Sequence, residues 1–308
     1  GYFWCALYIR HETRTHFALL TMNIAYWKNS FLPSIDIRLS SENRAFRFAD
    51  GCFESIRIME GYPVFWTQHV KRLTDTLQLL DIDLRKSETE LKQLVVSLLN
   101  QNGIRAGGTL RLTVYRSGGG KYFPETNEGH LLMECMKHEM GAYVRPLAKT
   151  ALLYDRMKLP VHELGNHKTL SKTIHINAAI FAQKRGVDDA ILLNSDDQVT
   201  EAVSSNLFLV KSGKVVTPNL ESGCLNGTIR KILLSQLKFE GVQIHEEVLT
   251  VIDLEQADEI WTTNAITGIK ILNDWNGKRK QSLIAERAQQ ELNELAINSI
   301  RGFLENLP

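Results

Sequence analysis

The apolar residues of this chain change period several times, which excludes any fold built from one kind of element. In "SETELKQLVVSLLNQNG", Leu91, Leu94, Val95, Leu98 and Leu99 recur at helical spacing. Ser87 and Glu90 stand before them as a capping box, and Gly103 behind them as a stop. A few residues on, "GGTLRLTVYRSGGGKYF" alternates Leu110, Leu112 and Val114 with Arg111, Thr113 and Tyr115, a strand with one polar face. Upstream, "IRIMEGYPVFW" sets two β-prone runs about Glu60-Gly61, the pattern of a hairpin, before a helix from about Thr67. The interleaving continues to the end. Strands are expected near 149–155, in "AILLNSDDQVTE", "SNLFLVKSGKVVTP", "VQIHEEVLT" and "EIWTTN", and helices near 171–185, from about Thr228, and near 282–305. Hairpins mixed with helices predict an α+β fold rather than a regular βαβ repeat.

At 308 residues the chain is long enough for two domains of roughly 100–200 residues each. "HEMGAYVRP" breaks the strand pattern, so the expected division is a small α+β domain at 22–140 and a larger one at 141–308. Residues 1–21 are apolar first and basic later, the reverse of a secretory signal, and read as an N-terminal extension. Formal charge is +1, from 36 basic and 35 acidic residues, which argues against broad capture of nucleic acid or anionic membrane. No apolar run approaches the ~20 residues of a membrane span. Cys5, Cys52, Cys135 and Cys224 are scattered, with no zinc spacing, and suit a reducing, cytoplasmic setting.

Several motifs carry little. "SGGGK" lacks the upstream glycine of a phosphate loop, and Tyr122 stands where Ser or Thr should be. His167 and His175 are eight apart without an acidic partner at helical spacing, so no metal site is expected. Others carry more. "LNGTIRKILL" puts a glycine turn before an amphipathic helix, whose free amides make an anion site. "LGNHKTLSKTIHINAA" puts two amines, Lys168 and Lys172, four residues apart. Taken singly, Arg72 in "HVKRL" and Glu201 in "QVTEAVSSNLFLV" read as surface charges.

In combination they read differently. "FADGCFESIR", "HVKRL", "HKTLS", "DDAILLN", "VTEAVSSNLFLV", "VVTP", "LNGTIR" and "ADEIWTTNA" occur in the order and spacing of one family. Over roughly 43–277 the chain resembles the fold-type IV pyridoxal-phosphate enzymes: branched-chain and D-amino-acid aminotransferases, with aminodeoxychorismate lyase as a relative. The resemblance implies two α+β domains with pyridoxal 5'-phosphate in the cleft between them, and a homodimer whose neighbour closes the pocket.

It also implies roles. Lys168, in "HKTLS", matches the Schiff-base lysine, which then moves a proton at the substrate Cα. Glu201 matches the carboxylate facing the pyridine nitrogen. Arg72 matches the phosphate arginine, with backbone amides from Gly227, Thr228 and Ile229; relatives often read Gly-Ile-Thr where this chain has Gly-Thr-Ile. Ser205, Asn206 and Asn264 are further expected cofactor contacts, and Ala265 a substrate contact. For the substrate carboxylate, Arg57 and Arg111 match arginines of the branched-chain enzymes and Arg116 that of the D-amino-acid enzymes. Arg111 and Arg116 differ by five positions, so a regular strand points them to opposite faces. Arg116, beside "SGGG", is the expected carboxylate partner. The leading expectation is an aminotransferase acting on an amino acid and a 2-oxo acid; the alternative is aminodeoxychorismate lyase, which "YRSGGGKY" and "TNA" resemble.

Overall fold

The computed structural model describes residues 23–139, 141–143, 148–237, 242–275, 278–279, 283–305 and 307. The expected extension at 1–21 lies outside them. The chain forms two sheets, joined between 138 and 148, where the sequence break falls.

The first sheet is antiparallel, in the order β2 (Ser30–Pro33), β1 (Ile24–Trp27), β6 (Gly129–His138), β5 (Gly107–Arg116), β3 (Gly51–Met59), β4 (Tyr62–Pro63). The turn after β3 places both Glu60 (φ 52°) and Gly61 (φ 79°) in the left-handed region, as a tight hairpin turn requires. The return strand is only two residues long, because Pro63 has no N–H to extend the ladder. Before β3 lies α1 (Arg44–Phe48). After β4 come α2 (Trp66–Leu79) and α3 (Glu88–Gln101). The capping box of α3 is made in both directions, with Ser87 N–H donating to Glu90 Oε2 at 2.7 Å. Both long helices bury their apolar stripes, including Leu73, Leu77, Val95 and Leu98, against Ile56, Leu110 and Leu112 of the sheet.

The second sheet has nine strands: β7 (Ala148–Leu159), β8 (Asp189–Asn194), β9 (Val199–Ala202), β10 (Ser205–Lys211), β11 (Lys214–Pro218), β12 (Ile244–Glu247), β13 (Glu259–Asn264), β14 (Gly268–Trp275) and β15 (Lys278–Arg279). It runs β10-β13-β14-β7-β8-β9, and β9 pairs back onto β10, closing a ring that leaves those strands no free edge. Around it lie α4 (Thr173–Gln183), α5 (Thr228–Gln236) and α6 (Val251–Gln256). The last helix, α7 (Leu283–Glu305), spans both halves. Ala288, Leu292 and Ala296 pack in the core of the second, while Phe303 meets Trp66 of the first edge-on at 5.6 Å.

Two short helices, α1 and α6, were not expected from the sequence, and the strand expected over "VQIHEEVLT" is confined to Ile244–Glu247. A helix of five or six residues shows too few turns for a period to register.

Candidate active site

Lys168 follows a short helical turn and is fixed by backbone pairing. Phe53 N–H donates to Lys168 O and Leu170 N–H to Gly51 O, both at 3.0 Å. The lysine segment thus lies along the start of β3, where the two sheets meet. Gly51 is needed there: a Cβ would lie 2.3 Å from Val114 O of β5. The Lys168 amine sits 4.5 Å from the Phe53 ring centroid. Protein surrounds it, and burial, helped by the positive charge of Arg72, pulls its pKa from the usual lysine range to about 7. Much of the amine is therefore neutral near pH 7, as a nucleophile or base must be.

Lys168 opens into a cavity of about 390 Å³, of the size that holds a small cofactor. The structure brings Arg72, Ser205, Asn206, Gly227, Thr228, Ile229, Asn264 and Ala265 to the same cavity. Its far wall is the start of α5. Gly227 is the N-cap and has no capping side chain, so the first amides of α5 remain for an external acceptor. The cap must be glycine, since a Cβ would lie 1.9 Å from Asn206 Oδ1. Asn206 is held in turn by its Nδ2 donating to Leu225 O at 2.6 Å. Asn264 shapes the opposite rim: its Oδ1 accepts from Ile266 N–H at 3.0 Å and Thr267 N–H at 2.9 Å. The buried Thr263 Oγ1, in a residue lining the cavity, has no hydrogen-bond partner among the described residues. An uncapped helix start, an orphan hydroxyl and a low-pKa amine suit a small molecule that carries both a phosphate and an aldehyde.

Arg72 lines the Lys168 cavity with part of its guanidinium engaged by protein. Its fork is turned onto Glu54, with Nε donating to Oε1 at 2.7 Å and Nη2 to Oε2 at 2.6 Å, and Nη1 reaching Asn226 O at 3.3 Å. Glu54 thus takes the Nε/Nη2 edge of the guanidinium, and the remaining Nη1 and Nη2 N–H bonds can face an anion. Glu54, wholly buried, is held ionised by Arg72 against its burial, with its pKa at about 2, and also accepts from His69 Nδ1–H at 2.7 Å. This network was missed in the sequence, where Glu54 is one charged residue in a strand and nothing marks its partner 18 positions on.

Glu201 is buried but does not line the Lys168 cavity. It faces an adjoining one of about 230 Å³, together with Lys172 and His175. Its Oε1 accepts from His175 Nε2 and its Oε2 from Leu225 N–H, both at 2.7 Å. His167 lies 3.0 Å from Thr76 of α2, so the two histidines serve different elements. Among the described residues no group of three or more His, Cys, Asp or Glu side chains is placed to hold a metal.

The three substrate arginines separate. Arg57 donates to the carbonyls of Gly141, Ala142 and Ile266 and tethers the link between the halves. Arg116 is buried on the other side of the first sheet. It donates to Asp50, Asp81 O, Leu80 O and Asn127, and it does not reach the Lys168 cavity. In this structure the donors of Arg116, the expected carboxylate partner, are engaged by these groups. Arg111 is opposite Ser55, which lines the cavity, and its guanidinium carbon lies 3.9 Å from the Phe53 ring centroid. It borders the cavity through Phe53 and Ser55 without lining it.

The model of the family described as amino-transferase class IV matches residues 51–273. The chain belongs to this family. Among similar class IV proteins, a putative branched-chain-amino-acid aminotransferase of Methanocaldococcus jannaschii is 29% identical over 254 residues, 82% of this chain and 88% of that protein. An aminodeoxychorismate lyase of Vibrio harveyi is 28% identical over 253 residues, 79% of this chain and 89% of the lyase. The crystal structure of the branched-chain aminotransferase of Thermoproteus uzoniensis superposes with a TM-score of 0.83 at 21% identity, covering 92% of this chain and 97% of that one. This class IV chain therefore has the two-domain α+β fold of those enzymes.

Proposed function

We propose that this class IV enzyme is a pyridoxal-phosphate-dependent aminotransferase, moving an amino group from an amino acid to a 2-oxo acid. The observation that carries the reading is Lys168: a largely neutral amine, pinned by backbone to β3, in a cavity whose far wall is an uncapped helix start. When bound, the cofactor supplies an aldehyde for that amine and an electron-poor ring that stabilises negative charge at the substrate Cα. Thr228 and Ile229 amides hold the phosphate, with Gly227 clearing their approach and Arg72 adding charge from behind its Glu54 pair. Ser205, Asn206 and Asn264 shape the cofactor's walls, and Ala265 the substrate end. Glu201, steadied by His175 and Leu225, keeps the pyridine nitrogen protonated. Lys168 carries the proton to and from the substrate Cα. Arg111 takes the substrate carboxylate, because it borders the cavity and Arg57 and Arg116 are committed elsewhere.

Domains at 22–140 and 141–308 meet at this cavity, and a second copy of the chain closes it. Exposed Tyr122 and Phe123, in the lip after β5, suit such a contact. The alternative is elimination of pyruvate from aminodeoxychorismate, supported by the similarity to the lyase along nearly the same span. The test is the absorption spectrum of purified protein with pyridoxal phosphate, followed through single turnovers with L- and D-amino acids and with aminodeoxychorismate. Conversion to the amine form by an amino acid supports the transaminase. Pyruvate release from aminodeoxychorismate with the spectrum restored supports the lyase, and no change with any substrate overturns both.

A further inference from the structure

One stripe of α2, the one that contains Arg72, is polar and yet buried. His69, Arg72 and Thr76 recur at helical spacing on one face and are 0%, 5% and 1% exposed. Burying polar groups is costly unless they are bonded, and each of these reaches a different segment around Lys168. His69 Nδ1–H donates to Glu54 of β3 at 2.7 Å. Arg72 bonds the same carboxylate twice and reaches Asn226 O, just before α5. Thr76 Oγ1 donates to Arg72 O at 2.8 Å, which leaves its oxygen to accept from His167 Nδ1–H at 3.0 Å, one residue before Lys168. Glu54 is the one carboxylate in this set, and it is wholly buried. Its neighbour Phe53 lines the Lys168 cavity, while Glu54 turns the other way, onto α2.

We propose that Glu54 is a positioning residue for the chemistry of Lys168: it fixes the Arg72 guanidinium and offsets its charge at the Lys168 amine, so that the amine can both take up a proton and return it. The inference rests on the role given to Lys168 above. Four elements bring charge to bear on that amine. Arg72 of α2 and Lys172 at the start of α4 lower its pKa, and Glu54 of β3 and Glu201 of β9 raise it. After burial, Arg72 is the largest influence, and Glu54 is the largest that opposes it. A group that moves a proton to and from the substrate Cα works best with a pKa near the working pH. Burial and an uncompensated Arg72 would together make the amine too weak a base to hold the proton it has taken.

The experiment follows arylation of Lys168 by a neutral reagent against pH, site by site, in the cofactor-free full chain as wild type, Glu54→Gln and Glu54→Asp. The wild type should show a midpoint near pH 7. Glu54→Gln keeps the size and removes the charge, and should move the midpoint down by about one pH unit. Glu54→Asp keeps the charge and should hold the midpoint within about half a unit of wild type. A merely structural role predicts the opposite sign for Glu54→Gln, since a loosened site admits water and the midpoint climbs toward that of an ordinary lysine. An unchanged or raised midpoint in Glu54→Gln, or an equal fall in Glu54→Asp, overturns the proposal. Melting curves report whether each variant folds. Should Glu54→Gln not fold, Arg72→Gln decides: without the cation that Glu54 offsets, the midpoint should rise, and an unchanged one overturns the proposal. A wild-type midpoint near that of an ordinary lysine overturns it with no variant needed. Borohydride trapping of pyridoxal phosphate tests the function separately. Cofactor trapped on Lys168 with an unmoved Glu54→Gln midpoint removes the role of Glu54 alone, whereas no trapped cofactor removes the role of Lys168 and this inference with it.

Discussion

Lys168 and Lys172 are four residues apart, and burial lowers the pKa of both amines, yet the charges around them differ. Lys168 is held along a strand, and after burial the largest influence on it is the positive charge of Arg72, so its neutral form is favoured. Lys172 begins a helix; burial lowers its pKa too, but the next largest influence on it is the negative charge of Glu201, which opposes that lowering. The difference comes from neighbours distant in sequence, since the local chemistry of the two residues is the same.

The sharpest way to break this comparison is to delete each amine. Lys168→Ala should lower turnover at least ~10⁴-fold, as loss of a covalent catalyst does. Lys172→Ala, at saturating cofactor, should stay within about tenfold of wild type. Borohydride reduction followed by peptide mapping should find the cofactor on Lys168. A label on Lys172 would reverse the assignment.

The lowered pKa of Lys168 gives a second measure. A lysine reacts only as the free amine. With its pKa at about 7, Lys168 should lose reactivity toward a neutral arylating reagent as pH falls below that value, roughly 50-fold from pH 7 to 5 and about tenfold per unit beyond. Above about pH 8 the rate should level off. Mass spectrometry of the cofactor-free protein measures this site by site. A Lys168 rate still climbing through pH 10 would show an ordinary lysine.

On the carboxylate side, Glu201→Gln keeps the shape and removes the charge. It should cost ~10²-fold in turnover, comparable to other deletions of a preorganised charge. Steady-state rates measure this, and an unchanged rate would remove Glu201 from the site.

What the sequence revealed follows the reach of each signal. Lys168 and the α5 start were legible because each belongs to a short contiguous motif. The α3 capping box was legible because Ser87 and Glu90 are three residues apart. Thr250 and Asp253 offered the same signature for α6: Asp253 accepts from the Thr250 N–H and hydroxyl, both at 2.8 Å. That signal was available and was passed over. The Glu54–Arg72–His69 network was not legible, because it joins a strand to a helix and depends on how they pack. Strand parity correctly separates Arg111 from Arg116, but parity does not say which face meets a second sheet.

Those two arginines provide the last and smallest test, since the structure sets Arg111, and not Arg116, beside residues that line the Lys168 cavity. Arg111 has Phe53 beneath its guanidinium and Ser55 opposite it across the β3–β5 ladder, both of which line the Lys168 cavity. Burial lowers its pKa, with Glu134 opposing, yet an arginine stays charged at any working pH. Arg111→Ala should therefore raise KM for the best amino acid about tenfold, the loss of one charge-assisted contact, with a smaller change in kcat. Arg116 is spent on Asp50, Asn127 and the carbonyls of Leu80 and Asp81. Arg116→Ala leaves those groups without a donor and should cost about 3 kcal/mol of stability, read as a lower Tm, while KM in the folded fraction stays near wild type. A KM effect confined to Arg116 would restore the D-amino-acid-type assignment and place Arg111 among the solvated strand residues.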